Sequence, residues 1–283
     1  MSKITLENVS FEYSPKTSFS FKALRDISVD IEEGKITGII GHTGSGKSTF
    51  VQLLNGLLKP TEGKVLIDGK DIWENPKKIR DIRFRVGLVM QYPEYQLFDE
   101  TVRKDIEYGP KNKGMTPEEI EKNLQEAIQL VDVSPSVLDS SPFDLSGGQK
   151  RRIAIAGILA MKPEILVLDE PASGLDPKGK ELIFEGIKKY NETNSATVII
   201  VSHSMEDVAK YCDNLIVINQ GVIAASGPVR EVFAKEDLLH SCGLEVPQIT
   251  LLMHLLKNKG LAIDDSVYTV REAADVILNY YKS

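Results

Sequence analysis

The hydrophobic positions of this chain follow two different periods. Near the N-terminus, residues 4–9 and 27–31 place apolar side chains at every second position, which is typical of half-buried strands. Residues 14–21 between them are polar and aromatic, and we expect a loop there. Three further runs are almost continuously apolar and rich in β-branched residues, as in strands buried within a parallel sheet. These runs are residues 35–40, 165–168 and 197–201.

Helical periodicity lies between these strand segments. The spacing predicts helices over residues 49–58, 116–131 and 147–161, and another that begins at Asp176-Pro177. Short strands are predicted over residues 64–67 and 85–90. Strands that alternate with helices predict an α/β fold with a mainly parallel sheet, and the alternating N-terminal strands predict a smaller antiparallel β layer beside it.

Two regions depart from this alternation. Residues 92–162 are expected to form an inserted helical subdomain, because helix-like segments replace strands from about residue 115 onwards. After residue 228, apolar residues recur at helical spacing, and Thr269 and Glu272 form a candidate capping box. We therefore expect one large domain over residues 1–228 and a small C-terminal helical domain over residues 229–283.

Composition narrows the setting in which the protein is expected to work. The net charge is -7, which does not favour broad nucleic-acid binding. The two cysteines, Cys212 and Cys242, do not form a metal-ligand spacing or a disulfide framework, which fits a reducing compartment. The sequence shows no signal peptide and no apolar run of the roughly 20 residues that a membrane-spanning helix needs. At a membrane, the chain would therefore be held by partners.

A glycine-rich loop gives the first chemical signal. Residues 41–48 fit the phosphate-loop pattern G-x-x-x-x-G-K-[ST], between a buried strand and a helix. Backbone N–H groups of such a loop and the following helix N-terminus bind phosphates, Lys47 is expected at the β- and γ-phosphates of ATP, and Ser48 at Mg²⁺. The predicted nucleotide-binding residues here are Gly41, His42, Thr43, Gly44, Ser45, Gly46, Lys47, Ser48 and Thr49.

Candidate catalytic residues follow three other strands. Asp169 and Glu170 end the apolar run 165–168, where Asp169 suits Mg²⁺ and Glu170 suits a general base for the attacking water. His203 follows residues 197–201 and could reach the γ-phosphate, although a lone histidine is more often structural. Gln91 follows residues 85–90 and could touch Mg²⁺ or the water, and is otherwise an ordinary surface glutamine.

A second motif points to a family. Leu145-Ser146-Gly147-Gly148-Gln149 resembles the signature motif of ABC ATPases, and it begins a helix as an N-cap serine followed by glycines. In that family two subunits pack head to tail, and the signature of one faces the phosphate loop of the other. The resemblance therefore implies that Ser146, Gly147, Gly148 and Gln149 contact ATP bound to a partner subunit.

The same resemblance assigns further positions. Residues 173–176 match the loop that follows the acidic strand, Gln91 matches the glutamine loop and His203 the switch histidine. Tyr13 lies where the family places an aromatic residue that stacks on adenine, and Phe11 is a weaker candidate. Either aromatic residue could instead belong to the core.

A narrower resemblance concerns transport. Residues 91–98, Gln-Tyr-Pro-Glu-Tyr-Gln-Leu-Phe, resemble the segment of energy-coupling factor (ECF) transporter ATPases that contacts the membrane subunit. The helical tail resembles the C-terminal dimerisation domain of that group, and His42 resembles the second of its two ATPase paralogues. This implies uptake of vitamins or metal ions.

The resemblance also implies an assembly. A second ATPase subunit, either a paralogue or another copy, would pair with this one, next to an integral membrane coupling subunit and a solute-binding membrane subunit at the cytoplasmic face. The competing hypotheses are a soluble ABC ATPase without a transport role and a module that binds nucleotide without turnover. The presence of Glu170 argues against the second of these.

Overall fold

The computed structural model describes residues 2–282, which fold around two β-sheets. In chain order the strands are β1 (Ser2–Tyr13), β2 (Phe21–Glu32), β3 (Ile36–Ile40), β4 (Glu62–Ile67), β5 (Lys70–Asp71), β6 (Val86–Val89), β7 (Ile165–Asp169), β8 (Thr197–Val201), β9 (Asn214–Asn219) and β10 (Val222–Pro228). The α-helices are α1 (Lys47–Leu54), α2 (Ile79–Arg85), α3 (Val102–Lys113), α4 (Pro117–Leu130), α5 (Gly147–Leu159), α6 (Pro177–Asn194), α7 (Met205–Tyr211), α8 (Val229–Phe233), α9 (Glu236–Ser241), α10 (Gln248–Asn258) and α11 (Val270–Lys282).

The two sheets differ in size and in strand direction. The larger has the order β10-β9-β3-β8-β7-β6 and is parallel except for β10, which pairs antiparallel with β9. The smaller has the order β2-β1-β4-β5 and is antiparallel. Strands β3, β7 and β8 are buried along their whole length, as continuous apolar runs in a covered parallel sheet should be. The predicted α/β fold with an antiparallel layer is confirmed.

Two hydrophobic cores cover the two faces of the parallel sheet. One core joins the sheet to α3, α4, α5 and α6, with Leu124, Ile155 and Ile183 fully buried. The other joins it to α1 and the antiparallel sheet, with Phe50 of α1 and Leu6 of β1 in contact with the same cluster. The phosphate-loop helix α1 is therefore held between the sheets, which fixes the loop that precedes it.

The C-terminal helices pack in two steps. A third cluster joins α8 and α9 to β9 and to Val208 of α7. A small fourth cluster, which includes Met253 of α10 and Ala273 of α11, holds the last two helices together. The predicted capping box is present, since Glu272 accepts from the Thr269 N–H and donates its own N–H to the Thr269 hydroxyl.

The pattern of the sequence located most elements but not all of them. The capping box of α4 is present at Thr116 and Glu119, as expected. The elements without a prediction are α2, α3, α7, α8, α9, β5, β9 and β10. Helix α3 was missed because its sequence is largely polar and contains Pro110, so that helical periodicity in the inserted region is apparent only from about residue 115. Within residues 2–282, no helix combines the length and apolar character needed to cross a bilayer.

Candidate functional site

The predicted catalytic residues meet at one edge of the parallel sheet. Strand β7 lies between β8 and β6, with Asp169 opposite Val201 and Leu168 opposite Val89. Because the strands are parallel and in register, the residues that follow them leave the sheet on the same side. The phosphate loop, His203, Glu170 and Gln91 follow β3, β8, β7 and β6 respectively.

Close packing explains two glycines of the phosphate loop. A Cβ atom on Gly41 would lie 2.2 Å from the backbone oxygen of Ile218, so a side chain would push the loop off strand β9. Gly46, which caps α1, has a φ of 109° and would place a Cβ 2.8 Å from the Ala23 oxygen. Glycine has no side chain with which to cap a helix, so the first N–H groups of α1 stay available to an anion.

Lys47 is the charged centre of this loop. Its side chain is buried, and its ammonium group donates to the backbone oxygens of Gly41 at 2.7 Å and His42 at 3.0 Å. Burial lowers the pKa of Lys47, against the opposing effect of the Glu170 and Asp169 carboxylates. The ammonium is thus held back against the loop in a poorly hydrated place, where a phosphate would be a strong electrostatic partner.

Two of the three predicted magnesium ligands, Ser48 and Asp169, lie next to each other. The Ser48 hydroxyl hydrogen-bonds to the Asp169 carboxylate, which is itself buried at the end of β7. Burial raises the pKa of Asp169 above its ordinary value, although Ser48, Lys47 and His203 act to lower it. A hydroxyl and a carboxylate are oxygen donors of the kind that Mg²⁺ takes together with phosphate oxygens and water, so these residues fit that ion.

Glu170 and His203 form a direct pair. The Nε2 atom of His203 lies 2.5 Å from Oε1 of Glu170, and the histidine is about half exposed while the carboxylate is mostly buried. Glu170 has a φ of 52°, a left-handed conformation that is costly for a residue with a side chain, and its N–H donates to the Val201 oxygen. The strand end is therefore bent so that the carboxylate faces the histidine rather than continuing the strand.

Gln91 lies two residues beyond β6 with an exposed side chain. The next residue, Tyr92, has a φ of 55°, which turns the chain into the short 3-10 helix Pro93–Gln96. Gln91 therefore lies at the same edge of the sheet as Glu170 and His203, with its side chain exposed to solvent.

The aromatic candidates near the N-terminus separate clearly. Tyr13 is partly exposed, and its hydroxyl lies 3.1 Å from the hydroxyl of Thr49 in α1. Phe11 is buried in the core between the sheets and touches Tyr13 edge-on, with ring centroids 4.8 Å apart. Tyr13 is therefore the aromatic residue whose ring lies accessible beside the phosphate-loop helix, whereas Phe11 belongs to the core.

The signature residues form a turn of their own at the start of α5. Ser146 caps the helix by accepting from the Gln149 N–H, and the Gln149 side chain accepts from the Ser146 N–H at 3.0 Å. Ser146 and Gly147 are exposed, and a Cβ on Gly147 would meet open space. The hydrogen bonds of the turn join Ser146 and Gln149 to each other, and the exposed side of the turn faces outward.

Two other contacts at the site have no signal in the sequence. One is the Tyr13–Thr49 hydroxyl pair, which ties the aromatic residue to the phosphate-loop helix. The other is made by Arg151, which lies two residues after the signature motif and forms a two-pronged ion pair with Glu94, at 2.8 and 3.0 Å. An arginine in a helix of mixed polarity indicates no partner in advance, because the partner lies 57 residues away in the chain.

Comparisons with known proteins agree with this site. Residues 24–173 match the ABC transporter family. The energy-coupling factor transporter ATP-binding protein EcfA2 of Clostridium perfringens is 50% identical over 99% of both chains. That of Caldanaerobacter subterraneus subsp. tengcongensis is 52% identical over 99% of this chain and 98% of its own.

Solved structures give the same family. The structure of cbiO1 from Clostridium perfringens, part of the ABC transporter complex cbiONQ, aligns with a TM-score of 0.75 and 36% identity, and covers 89% of this chain and 99% of its own. A dimeric ATP-binding cassette in a post-hydrolysis state, bound to ADP and Pi, aligns with a TM-score of 0.73 and 31% identity over 80% of this chain and 98% of its own.

These matches decide between the hypotheses drawn from the sequence. Identities of about half over nearly the whole chain fall on transporter ATP-binding proteins, which favours a transport role over a soluble ABC ATPase. The predictions of an ABC-type ATPase that binds ATP, and of its likeness to the ECF group, are confirmed. The chain belongs to the ABC transporter family and, within it, to the energy-coupling factor transporter ATP-binding proteins.

Proposed function

We propose that this chain hydrolyses ATP only when a second ATPase subunit, a paralogue or another copy, packs against it head to tail. One observation carries the proposal: the chain has two helix N-termini suited to phosphate, and they are built differently. The N-terminus of α1 lies beside Lys47 and Asp169, whereas the Ser146 turn at α5 is exposed and bonded to itself. A neighbouring subunit's nucleotide is the ligand that such an outward turn would meet.

Each residue at the sheet edge has a distinct task in this scheme. Lys47 and the N–H groups of α1 bind the phosphates, and Tyr13 stacks on adenine. Ser48, Asp169 and Gln91 would hold Mg²⁺, which neutralises charge that develops on the phosphate oxygens. Glu170 accepts a proton from the attacking water, and His203 holds that carboxylate in place and faces the γ-phosphate.

The proposal extends to a membrane partner. A groove of about 610 Å³ runs beside the 3-10 helix, and its lining combines apolar and cationic side chains, among them Leu97, Phe98, Tyr108, Arg80 and Phe84. Phe98 is more than half exposed, although its ring packs edge-on against Tyr108. A short helix of an integral membrane coupling subunit would bury this surface, with a solute-binding membrane subunit beside it. The chain would then act peripherally at the cytoplasmic face and power uptake of vitamins or metal ions.

We also propose the division of the chain that its pattern indicated, with an ATPase domain over residues 1–228 that contains a helical subdomain over about 92–162. Residues 229–283 would form a dimerisation domain. In support, α10 and α11 share a small core of their own and leave Leu255, Leu278 and Tyr281 exposed. Such a surface is suited to contact with another subunit.

Phosphate release with Glu170→Gln tests the catalytic assignment. The wild-type assembly should release phosphate with Mg²⁺ and ATP. The variant should bind ATP but hydrolyse it at least about 100-fold more slowly, because the amide cannot accept the proton. Glu164→Gln is the matched control, because Glu164 directly precedes the other end of β7 and pairs with Arg85 and Lys3. Unimpaired turnover by Glu170→Gln would contradict the assignment, as would a loss of equal size in the control.

Isolation of the protein from membranes tests the second half of the proposal. The full chain should co-purify with a second ATPase subunit and an integral membrane protein, and Phe98→Asp should release the membrane protein while keeping ATP binding. A chain that hydrolyses ATP normally but is recovered free of any membrane protein would point back to the soluble alternative.

A further inference from the structure

Arg151 has an unusual set of contacts for a side chain on the signature helix. It lies one turn after Ser146–Gln149 and is 4% exposed. Its guanidinium group makes the two-pronged ion pair with Glu94, donates to the backbone oxygen of Ser173, and lies over the Tyr92 ring at 5.8 Å from the centroid. A planar guanidinium with three directed partners holds them in one fixed geometry, which a flexible lysine could not do.

The three partners belong to two other parts of the site. Glu94 and Tyr92 lie on the turn that follows Gln91, and Ser173 lies three residues after Glu170. Arg151 itself belongs to the helix that presents Ser146 outward. The residues that face the chain's own nucleotide and the turn proposed to face its neighbour's nucleotide are thus joined through one buried side chain.

A second contact supports the same link. A Cβ atom on Gly148 would lie 3.4 Å from a methyl group of Leu175, so the loop over residues 173–176 packs directly against the first turn of α5. The loop and the signature turn therefore touch at two points, at Arg151 and at Gly148. Movement of one without the other would break the hydrogen bond from Arg151 to the Ser173 oxygen or open this packing.

We propose that Arg151 is a positioning residue that makes the turn at residues 92–96, the loop at residues 173–176 and the signature turn move as one unit. A movement at the chain's own nucleotide site would thereby shift the signature turn, which contacts the neighbouring subunit's ATP. This inference rests on the head-to-tail pairing proposed above. Arg151 touches neither nucleotide in this scheme and acts through the position of Ser146 and Gly148.

Pairing driven by ATP is the measurement that separates positioning from simple structural support. In full-length protein carrying Glu170→Gln, ATP should produce stable pairs, detected by size-exclusion chromatography or light scattering. Adding Arg151→Lys or Glu94→Gln should weaken ATP-driven pairing about tenfold while the affinity of the single chain for ATP changes less than about twofold. Glu121→Gln is the control for loss of an arginine–glutamate ion pair as such, because Glu121 pairs with Arg103 elsewhere in the helical region, at a more exposed position.

The combined variant makes the test specific. If Arg151 acts through Glu94, Arg151→Lys with Glu94→Gln should weaken pairing no more than the worse single change does. Additive losses, normal pairing in both single variants, or a parallel fall in ATP affinity and melting temperature would each overturn the proposal. Absence of pairing in the Glu170→Gln parent itself would instead count against head-to-tail closure, so the two failures are distinguishable.

Discussion

The two helix N-termini proposed to bind phosphate, at α1 and at α5, solve the same electrostatic problem in opposite ways. Helix α1 is capped by Gly46, is packed between the two sheets and has the buried Lys47 at its first position. Helix α5 is capped by Ser146, whose hydroxyl accepts from the Gln149 N–H, and its first glycine faces open space. The first N–H groups of α1 have no side-chain cap. In α5, by contrast, the Ser146 side chain caps the Gln149 N–H, and the turn faces outward.

This difference indicates what each end can do alone. An uncapped helix N-terminus with a buried ammonium beside it is a strong anion site within a single chain. A self-capped, exposed turn offers fewer vacant donors, and the buried cation of its helix, Arg151, is already paired with Glu94, so its affinity for free nucleotide should be small. The α1 end should therefore set ATP binding, and the α5 end should matter only after another subunit has brought its nucleotide.

Removing the ammonium should break the α1 end. With Lys47→Ala, the affinity for ATP should fall about 100-fold or more, because a charge-assisted contact to two phosphates is lost. The measurement is nucleotide binding by the isolated full-length chain. Lys113→Ala is the control, since Lys113 is more exposed than Lys47 but also donates to a backbone oxygen, that of Met161, and burial lowers its pKa too. Equal losses of affinity in both variants would indicate a general effect on the fold.

Adding a negative charge should break the α5 end without touching the other. Gly147→Asp places a carboxylate where the structure has open space, and acidic residues at a helix N-terminus are stabilising by about 0.3–1 kcal/mol. The fold should therefore be kept or slightly stabilised and ATP affinity should be unchanged. Steady-state hydrolysis should fall about 100-fold, because the carboxylate would repel the neighbouring subunit's γ-phosphate.

Pro117→Asp is the control for helix charge alone. Helix α4 also begins with a capping box, formed by Thr116 and Glu119, and Pro117 is exposed at its first position. The same charge there should leave hydrolysis unchanged. Full activity of Gly147→Asp would mean that the signature turn does not meet a nucleotide.

The comparison also indicates how far the sequence can be interpreted. The α1 end was predictable because a continuous apolar strand, a glycine pattern and a helix fix its geometry locally. The position of Glu170, His203 and Gln91 at one edge follows from parallel strands, and the register of β6, β7 and β8 bears this out. The roles of these residues in catalysis stay predictions.

Contacts between distant segments were not predictable. The pairing of Arg151 with Glu94 and of Tyr13 with Thr49 depends on how α5 and β1 pack against elements far away in the chain. Helix α3 was missed because its polar face outweighs its apolar one, with Val102 and Ile106 among its few buried residues. Local pattern specifies most of the elements, whereas packing decides which elements contact each other.

The smallest expected effect concerns the stability cost of the catalytic edge. Burial raises the pKa of Asp169 even though Ser48, Lys47 and His203 oppose that rise. A carboxyl whose pKa is raised in the folded state binds its proton more tightly there than in the unfolded chain. The ionised group therefore costs stability at neutral pH. The cost fades as the pH falls through the raised pKa of the folded state, and it is gone below about 4, the ordinary range of an aspartate pKa.

Asp169→Asn should accordingly raise the melting temperature at pH 7, and its advantage over the wild type should shrink as the pH falls towards 4. Asp68→Asn should instead lower the melting temperature at pH 7. Burial acts to raise the pKa of Asp68, but hydrogen bonds from Arg85 and Lys3 outweigh that effect and lower the pKa, so the ionised form is stabilising. Thermal melts of the nucleotide-free chain across that pH range compare the two. If Asp169→Asn raises the melting temperature and Asp68→Asn lowers it, the Asp169 carboxylate is kept at a cost in stability. The Asp169→Asn variant should also lose Mg²⁺-dependent hydrolysis, so that stability is gained where function is lost. A melting temperature lowered by Asp169→Asn at pH 7 would instead mean that its carboxylate stabilises the fold through Lys47 and Ser48.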